Sequence, residues 1–540
     1  MTLDDLFKIK RVSDPQMSPD GQWVVYTITN IDDVAKNKVS SNLWLAATDG
    51  KSRRQLTNTD KKDRQPRWSP DSKSVLFVST RSGTPQLWLI DVNGGEARQL
   101  TTISTGAAEP TWSRDGKRIA FVSAVWPEFS AKPFKDSDKL HKDKIEEQKK
   151  SAVIARVFTR LPYRYWDEYL EDKRLHLFVC DFADGKAGEP RDVTPGDYNA
   201  FPVSESAGAD NFTFSPDGTH LLFTAPPKEN EAWSNNYDIW RIAVDGKGKP
   251  ENLTKDNTAA DGAPQFSPDG KHLAYRAQKR PGCDADLWQI VLVDVNPSGG
   301  FTGKPAVIEY LADNSVNEFA WGTVRTGEKT VESCVVFTTD FQGVTAVVAY
   351  APKQERFHSI GKECIGTTSA MSFSSDGQMS AHLFSQMHQP ADVMVTSLTD
   401  AKPASALNVS QANAKLLSEL DLSRPESVAL TGAGSTPTQM WLLKPPGFDA
   451  TKKWPVAYLI HGGPESAWSD SWNYRWNAQL WAAQGYIVAM PNPRGSVGFG
   501  QQFIDDIRGD WGGKSYIDLM RSANYLDGLP FVDKDRVAAA

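Results

Sequence analysis

Cysteine is scarce in this sequence. Its four residues, Cys180, Cys283, Cys334 and Cys364, lie too far apart for the close pairs that chelate zinc or run thiol chemistry. Buried thiols are the first expectation, with one or two disulfides as the alternative in an oxidising compartment. The eight histidines are equally dispersed and show no His-x-x-x-His spacing, so neither a metal site nor a cofactor is expected. No run of about 18 apolar residues occurs, which excludes a spanning helix. The opening MTLDDLFKIKRVSD has no apolar core of a signal peptide, although a mature exported form starting at an added Met stays open. Excess positive charge is missing too: 60 Lys+Arg stand against 67 Asp+Glu, net −7, which argues against a nucleic-acid surface. At 39% hydrophobic and 24% charged the composition is that of a globular chain, and 540 residues make roughly three or four domains unless repeats lower the count.

Repeats are what the sequence has instead. An aromatic residue, then Ser-Pro-Asp-Gly, then an alternating apolar stretch is seen at Phe214-Ser215-Pro216-Asp217-Gly218 followed by THLLFTA. Copies surround Asp20, Asp71, Asp115, Asp269 and Asp376, the last as FSSDG. Proline at the second position with its fixed φ, Asp third and Gly fourth make a β-turn between two antiparallel strands. About 20 to 30 residues later comes a second hairpin, as in NLWLAATDGKSRRQLT, QLWLIDVNGGEARQLT and DIWRIAVDGKGKPENLT, turned at Asp-Gly or Gly-Gly. Two hairpins per unit make the four strands of a propeller blade. Adjacent copies lie 44 to 52 residues apart, and two gaps are twice as long. One holds the degraded copy EFAWGTVRTGEKTVESCVVFTT around Trp321 and the other an insertion, giving seven blades.

The insertion runs from about Trp126 to Leu175. Its first half, FKDSDKLHKDKIEEQKKS, is charge-dense and reads as a solvated, mobile helix or loop. Its second half, RLPYRYWDEYLEDKR, interleaves tyrosine and tryptophan with charge. The plain reading is an excursion packed on the propeller rim; the functional one is a lid whose acids, Asp167, Glu168 and Glu171, meet a cationic group such as a peptide amino terminus.

From about Val428 the pattern becomes alternating strands and helices, which means a mostly parallel sheet. VALTGAGSTPTQMWLLKPP is a hairpin, PVAYLIHGGP and YIVAMPNPRG are buried strands, NAQLWAAQGY and SYIDLMRSANYLDGL are helices, and DRVAAA opens a third strand. Ligands of such sheets sit beyond the carboxyl ends of the strands, where His461-Gly462-Gly463-Pro464 and Asn492-Pro493-Arg494-Gly495-Ser496 fall. A glycine pair there leaves amides free to point at an oxyanion. GSVGFG at Gly495–Gly500 lacks dinucleotide-fingerprint spacing. The division predicted is a helix outside the blades at 1–12, a β-propeller at 13–410 with its insertion at about 126–175, an interdomain crossing within 400–425, and the first half of an α/β-hydrolase domain at 411–540.

The repeats, HGGPESAWSDSW, RWNAQLWAAQGYIVAMPNPRGSVGFG and DWGGKSYIDLM together resemble the prolyl oligopeptidase family of serine peptidases, in particular its dipeptidyl-peptidase five and acylaminoacyl-peptidase branch. The resemblance implies an all-β seven-bladed propeller plus an α/β-hydrolase domain, and a Ser nucleophile in a G-x-S-x-G elbow followed by Asp and His. No G-x-S-x-G occurs in the sequence, so this polypeptide, ending at Ala540 before the elbow, is expected to be inactive alone. By the same resemblance Gly463 supplies one oxyanion amide, and His461 is not the catalytic base, because the family's base follows its nucleophile. The implied activity is release of dipeptides or acyl-amino acids from short peptides, with a homodimer and a periplasmic or secreted location as expectations and a cytoplasmic one as the alternative. Two rival readings are a non-catalytic propeller binding module with a degenerate hydrolase appendage, and a lipase or esterase, which the roofed, polar-rimmed cavity disfavours.

Overall fold

Seven antiparallel sheets follow one another along the first three quarters of the chain in the computed structural model, spanning Arg11–Gln55, Asp63–Gln99, Ala108–Asp192, Phe212–Asn252, Asp261–Ile308, Val316–Ile360 and Thr367–Asn408. The structure describes all residues except 167, 170, 203–211, 228–230, 311–312, 329, 362–364 and 401–405, and the side chains of Tyr165 and Glu168. Each sheet takes its strands from one stretch of chain, interrupted only by the insertion in the third, so the ring is a seven-bladed propeller with no blade shared between the two ends of the propeller chain.

The repeat builds the turn between the first and second strand of a blade. In Ser18–Gly21 the Gly21 N–H donates to Ser18 O at 2.9 Å, and the Ser18 hydroxyl donates to Asp20 at 2.6 Å while accepting from Trp23 N–H at 2.9 Å. The same serine-to-aspartate bond recurs at 2.6 or 2.7 Å from Ser69, Ser113, Ser215, Ser267 and Ser374. The fourth position is left-handed in all six, with φ between +61° and +71°, which explains glycine there. Ser72 is the one exception among them.

Strand residues alternate between two neighbours, so both faces of a blade are buried. Val75 and Phe77 pack on the first blade, while Leu76 and Val78 pack on the third. Seven such seams ring the propeller, and the one joining the last blade to the first, with Val24, Tyr26 and Ile28 against Ala381, Val393 and Val395, is built like the rest. Closure therefore rests on apolar packing plus a few polar contacts, among them Arg53 to Ser410 O and Ser375 N–H to Pro19 O at 2.9 Å.

The long gap between Asp115 and Asp217 is one blade carrying the insertion between its second and third strands, which pair in unbroken register from Arg118–Asp181 to Val125–Arg174. The insertion's first half is the helix Phe134–Lys150, and one of its faces is docked rather than solvated. His141 is buried beside Trp126 and Phe129, and Asp138 accepts from Ser104 N–H and hydroxyl at 2.7 and 3.0 Å.

Beyond the propeller lies a five-stranded sheet in the order Glu426–Thr431, Pro437–Leu443, Ile487–Asn492, Trp454–Tyr458, Val532–Ala539. The last three are mutually parallel and the first two antiparallel, a mixed sheet whose parallel part is built from strands alternating with helices. Apolar layers cover both faces: Trp441, Leu459, Ala482 and Val488 on one, Met440, Val456, Ile487 and Leu526 on the other. The helix Leu3–Lys8 opens with a reciprocal Thr2–Asp5 capping box and sets Leu6 and Ile9 against Trp472 of the hydrolase part. Lys10 and Asn413 exchange hydrogen bonds at 2.8 and 2.9 Å, so the chain enters and leaves the propeller side by side.

Cys180, Cys283 and Cys334 are buried free thiols, and burial pushes Cys180 and Cys334 up to about 12, as inert core residues. Cys364 lies outside the described residues.

Candidate active site

The strand Trp454–Tyr458 runs parallel between its neighbours and ends in Leu459-Ile460-His461-Gly462-Gly463. Leu459 and Ile460 still donate backbone bonds to Ala489 O and Ala540 O, at 2.8 and 2.9 Å. Pairing stops there, and the Gly463 N–H donates to no group among the described residues. Gly463 has φ +135°, and a Cβ on it would sit 2.7 Å from Glu465 N, so only glycine fits.

Three groups hold the turn from below. His461 Nε2 lies 2.9 Å from Ser496 Oγ and its Nδ1 lies 3.0 Å from Gly462 O. Burial lowers the His461 pKa below the ordinary histidine value, which keeps the ring neutral at pH 7. Trp468 stands edge-on to the imidazole, its indole donating to Leu459 O at 3.0 Å and its amide to Asn492 Oδ1 at 2.7 Å. The facing loop after Ile487–Asn492 is tied by Arg494, which pairs with Asp518 at 3.2 Å and Asp506 at 3.1 Å and donates to Ala433 O. Asp518 in turn accepts from the Arg494 and Ala433 amides at 3.0 and 2.7 Å. Sequence reasoning named the NPRGS turn but gave Arg494 and Ser496 no part; an arginine in an otherwise apolar strand end was the available signal.

The propeller turns that join second to third strands meet this part of the molecule. Met387 N–H donates to Asp470 at 2.8 Å, Gln342 N–H to Gly498 O at 2.9 Å, and Arg280 reaches Asp505 at 2.8 and 3.0 Å. GSVGFG is thus an interface turn, where Gly498 lies against Asp340 and Phe341. The insertion leaves its blade at the corresponding position, so it projects from the same face. There a cavity of about 640 Å³ opens between Tyr169 and Glu171 of the insertion, Asp197 and Asn199 of the next linker, and Glu231 and Trp233 of the fourth blade.

Of the acidic candidates, Glu171 is exposed on this cavity and paired with Lys173 at 2.7 Å. Asp167 lies outside the described residues. Glu168 pairs through its backbone with Tyr165, and its carboxylate is outside the described atoms. Asp197 serves both Arg160 and Arg174, at 2.9 and 3.0 Å. Glu231, which sequence reasoning missed, has the Asn199 amide as its partner at 2.8 Å and no cation among the described residues.

Residues 8–139 match the TolB beta propeller domain and residues 472–540 the Prolyl oligopeptidase family. The chain is 30% identical to the Dipeptidyl-peptidase 5 of Porphyromonas gingivalis over 543 residues, covering 100% of this chain and 74% of that one. It belongs to the prolyl oligopeptidase family of serine peptidases. Another family member, the Dipeptidyl-peptidase 5 of Arthroderma otae, is 29% identical over 72% of this chain and 54% of its own length. Among solved structures, the acylaminoacyl peptidase of Pyrococcus horikoshii shares the fold at TM-score 0.75 and 17% identity, over 100% of this chain and 74% of that one. The family's architecture, a propeller set against an α/β-hydrolase sheet, is the one found here.

Proposed function

We propose that this chain carries the propeller and the oxyanion side of a serine exopeptidase that releases dipeptides or acyl-amino acids from the amino termini of short peptides. A serine attacks the peptide carbonyl, a histidine takes its proton and returns it to the leaving amine, and water releases the acyl enzyme. The Gly463 amide stabilises the developing oxyanion together with the amide following the serine. The observation that carries this reading is the Gly463 N–H, without a partner among the described residues, at the end of the parallel strand Trp454–Tyr458. The serine, aspartate and histidine of the triad have no counterpart in a G-x-S-x-G context among these 540 residues.

One carboxylate in the 640 Å³ cavity, Glu231, supports an amino-terminal specificity, although the lining as a whole balances three cations against three carboxylates. Asp197 neutralises one of its two arginines' charges and Lys173 is matched by Glu171, which leaves Glu231 as the carboxylate with no cationic partner among the described residues. Glu231 and Glu171, with Asp167 and Glu168 of the insertion, are the proposed acidic partners of the substrate amine.

The first test is the intact mass of the 540-residue polypeptide before and after a fluorophosphonate probe. No adduct and no hydrolysis of dipeptidyl reporters is the expected result, and a single adduct on a chain of verified mass 59.6 kDa overturns the assignment of the triad. In the form of the enzyme that bears the nucleophile, Glu231→Gln is expected to raise KM about 10-fold for reporters with a free amino terminus and to leave acetylated ones unchanged. An equal effect on both reporters removes Glu231 from amine recognition.

A further inference from the structure

We propose that His461 and Ser496 are positioning residues that fix the peptide plane whose N–H is the Gly463 oxyanion donor, an inference that rests on the role given to Gly463 above. The Gly462 carbonyl and the Gly463 N–H belong to one planar, trans peptide and point in opposite directions. Whatever holds that carbonyl down therefore aims that N–H up, toward the open end of the strand. His461 holds it: Nδ1 is 3.0 Å from Gly462 O.

A carbonyl can only accept, so the contact is attractive only when Nδ1 carries the proton. In a neutral ring Nε2 is then an acceptor, and Ser496 Oγ is in place 2.9 Å away to donate to it. The competing arrangement sends the Ser496 proton to Pro493 O at 2.6 Å, protonates Nε2, and turns the Nδ1 lone pair against Gly462 O. Pro493 O already receives the Ser496 amide at 3.0 Å and stays satisfied without the hydroxyl. The Nδ1–H arrangement satisfies Gly462 O and Nε2 and leaves Ser496 Oγ and Pro493 O as the one pair of acceptors in contact, at 2.6 Å, whereas its rival leaves the Nδ1 lone pair against Gly462 O at 3.0 Å; only the first holds the carbonyl that sets the Gly463 N–H.

Rigid support makes the device work. Ser496 is fully buried, and its loop is fixed by the Gly495 N–H to Phe503 O bond at 2.9 Å and by Arg494 below. Trp468 closes the other side of the ring. The turn is therefore set before substrate arrives, as electrostatic preorganisation requires.

The direct test is the tautomer of His461 in the 540-residue chain, read at pH 8 from long-range ¹⁵N–¹H correlations of the imidazoles, with the signal assigned by its loss in His461→Gln. Nδ1–H with a bare Nε2 is expected, and in Ser496→Ala the Nδ1–H tautomer should persist while the Nε2 resonance shifts through loss of its hydrogen bond. An Nε2–H ring in the unaltered chain, or an Nε2 resonance indifferent to Ser496→Ala, overturns the inference whatever the enzyme's activity. In the nucleophile-bearing enzyme, His461→Ala and His461→Gln are expected to lower kcat about 10- to 100-fold with KM within about threefold, less than outright loss of a donor. His461→Asn, whose side-chain amide can donate from the place of Nδ1, restores most of the rate. A correct tautomer with kcat unchanged in His461→Ala overturns the donor role of Gly463 and leaves the hydrogen-bond assignment standing, so the two failures are distinct.

Discussion

Arg494 has a side chain 2% exposed to water, facing an aspartate, Asp518, that is 1% exposed. A buried pair of this kind adds little over an apolar pair, but removing one partner strands the other charge. Arg494→Met is therefore expected to cost about 3–5 kcal/mol in urea unfolding, because Asp518 keeps only amide donors. Asp518→Asn added to it should recover part of that loss, and strictly additive costs would show that the pair is not coupled. At this scale the sequence was partly legible. Gly463 could be picked out because a glycine pair after a buried strand has few explanations, and the structure gives it a left-handed backbone and no room for a Cβ. Arg494, Ser496 and Glu231 could not, since each acquires meaning from a residue 24, 35 or 32 positions away.

At the scale of elements, the repeated turn was legible because its chemistry is local: serine, aspartate and glycine serve bonds within five residues, and proline fixes φ between them. A second repeated feature was not. Four positions before the turn serine, Asp14, Gln65, Glu109, Ala263 and Ala370 all take φ between +48° and +55° at a bulge where the strand pairing slips. No residue type marks that position, so only the backbone reveals it. The turns also make an acid-sensitive set. Asp71 and Asp269 lie below the ordinary carboxylate value chiefly through the Ser69 and Ser267 hydroxyls. In Asp115 and Asp217 partial burial pushes upward and is outweighed by hydroxyl and amide donors, so these are lowered as well. A carboxylate lowered by folding stabilises above its unfolded pKa, near 3.9, and that contribution is lost as pH falls through the folded value. The propeller should therefore weaken below about pH 4, with a steepness that falls as Asp71, Asp115, Asp217 and Asp269 are replaced by asparagine. Thermal melts of the fourfold variant between pH 3 and 7 check this: lower stability at pH 7 with a flatter acid limb is expected, and an unchanged acid slope would show that other carboxylates govern it.

The whole molecule joins two parts whose existence the change from repeats to alternating strands and helices announced, but whose contacts it could not. Only after folding do blades five, six and seven bring Arg280, Gln342 and Met387 to Asp505, Gly498 and Asp470, across 225, 156 and 83 positions of chain. The two aspartates hold this seam in different ways. Buried Asp470 accepts the Met387 amide and the Gln386 side chain at 2.8 and 3.1 Å, so its loss strands buried donors. Asp505 makes a bidentate pair with a partly exposed Arg280, which solvent screens to about 1 kcal/mol. The Arg280 hydrogen bond is also the largest cause of its lowered pKa, so this half of the seam is present at neutral pH and lost as pH falls below about 4. Asp505→Asn alone should therefore lower the melting temperature by less than about 2 °C. Combined with Asp470→Ala it should let the propeller and the hydrolase sheet melt separately, because each has apolar seams of its own to hold it. Calorimetry of the double variant at pH 7 decides the matter. Two transitions would show that the parts are coupled through these contacts, whereas a single one would place the coupling in those the variant leaves intact, the Gln342 to Gly498 bond and the apolar contacts of Met387 with the sheet and of the first helix with Trp472.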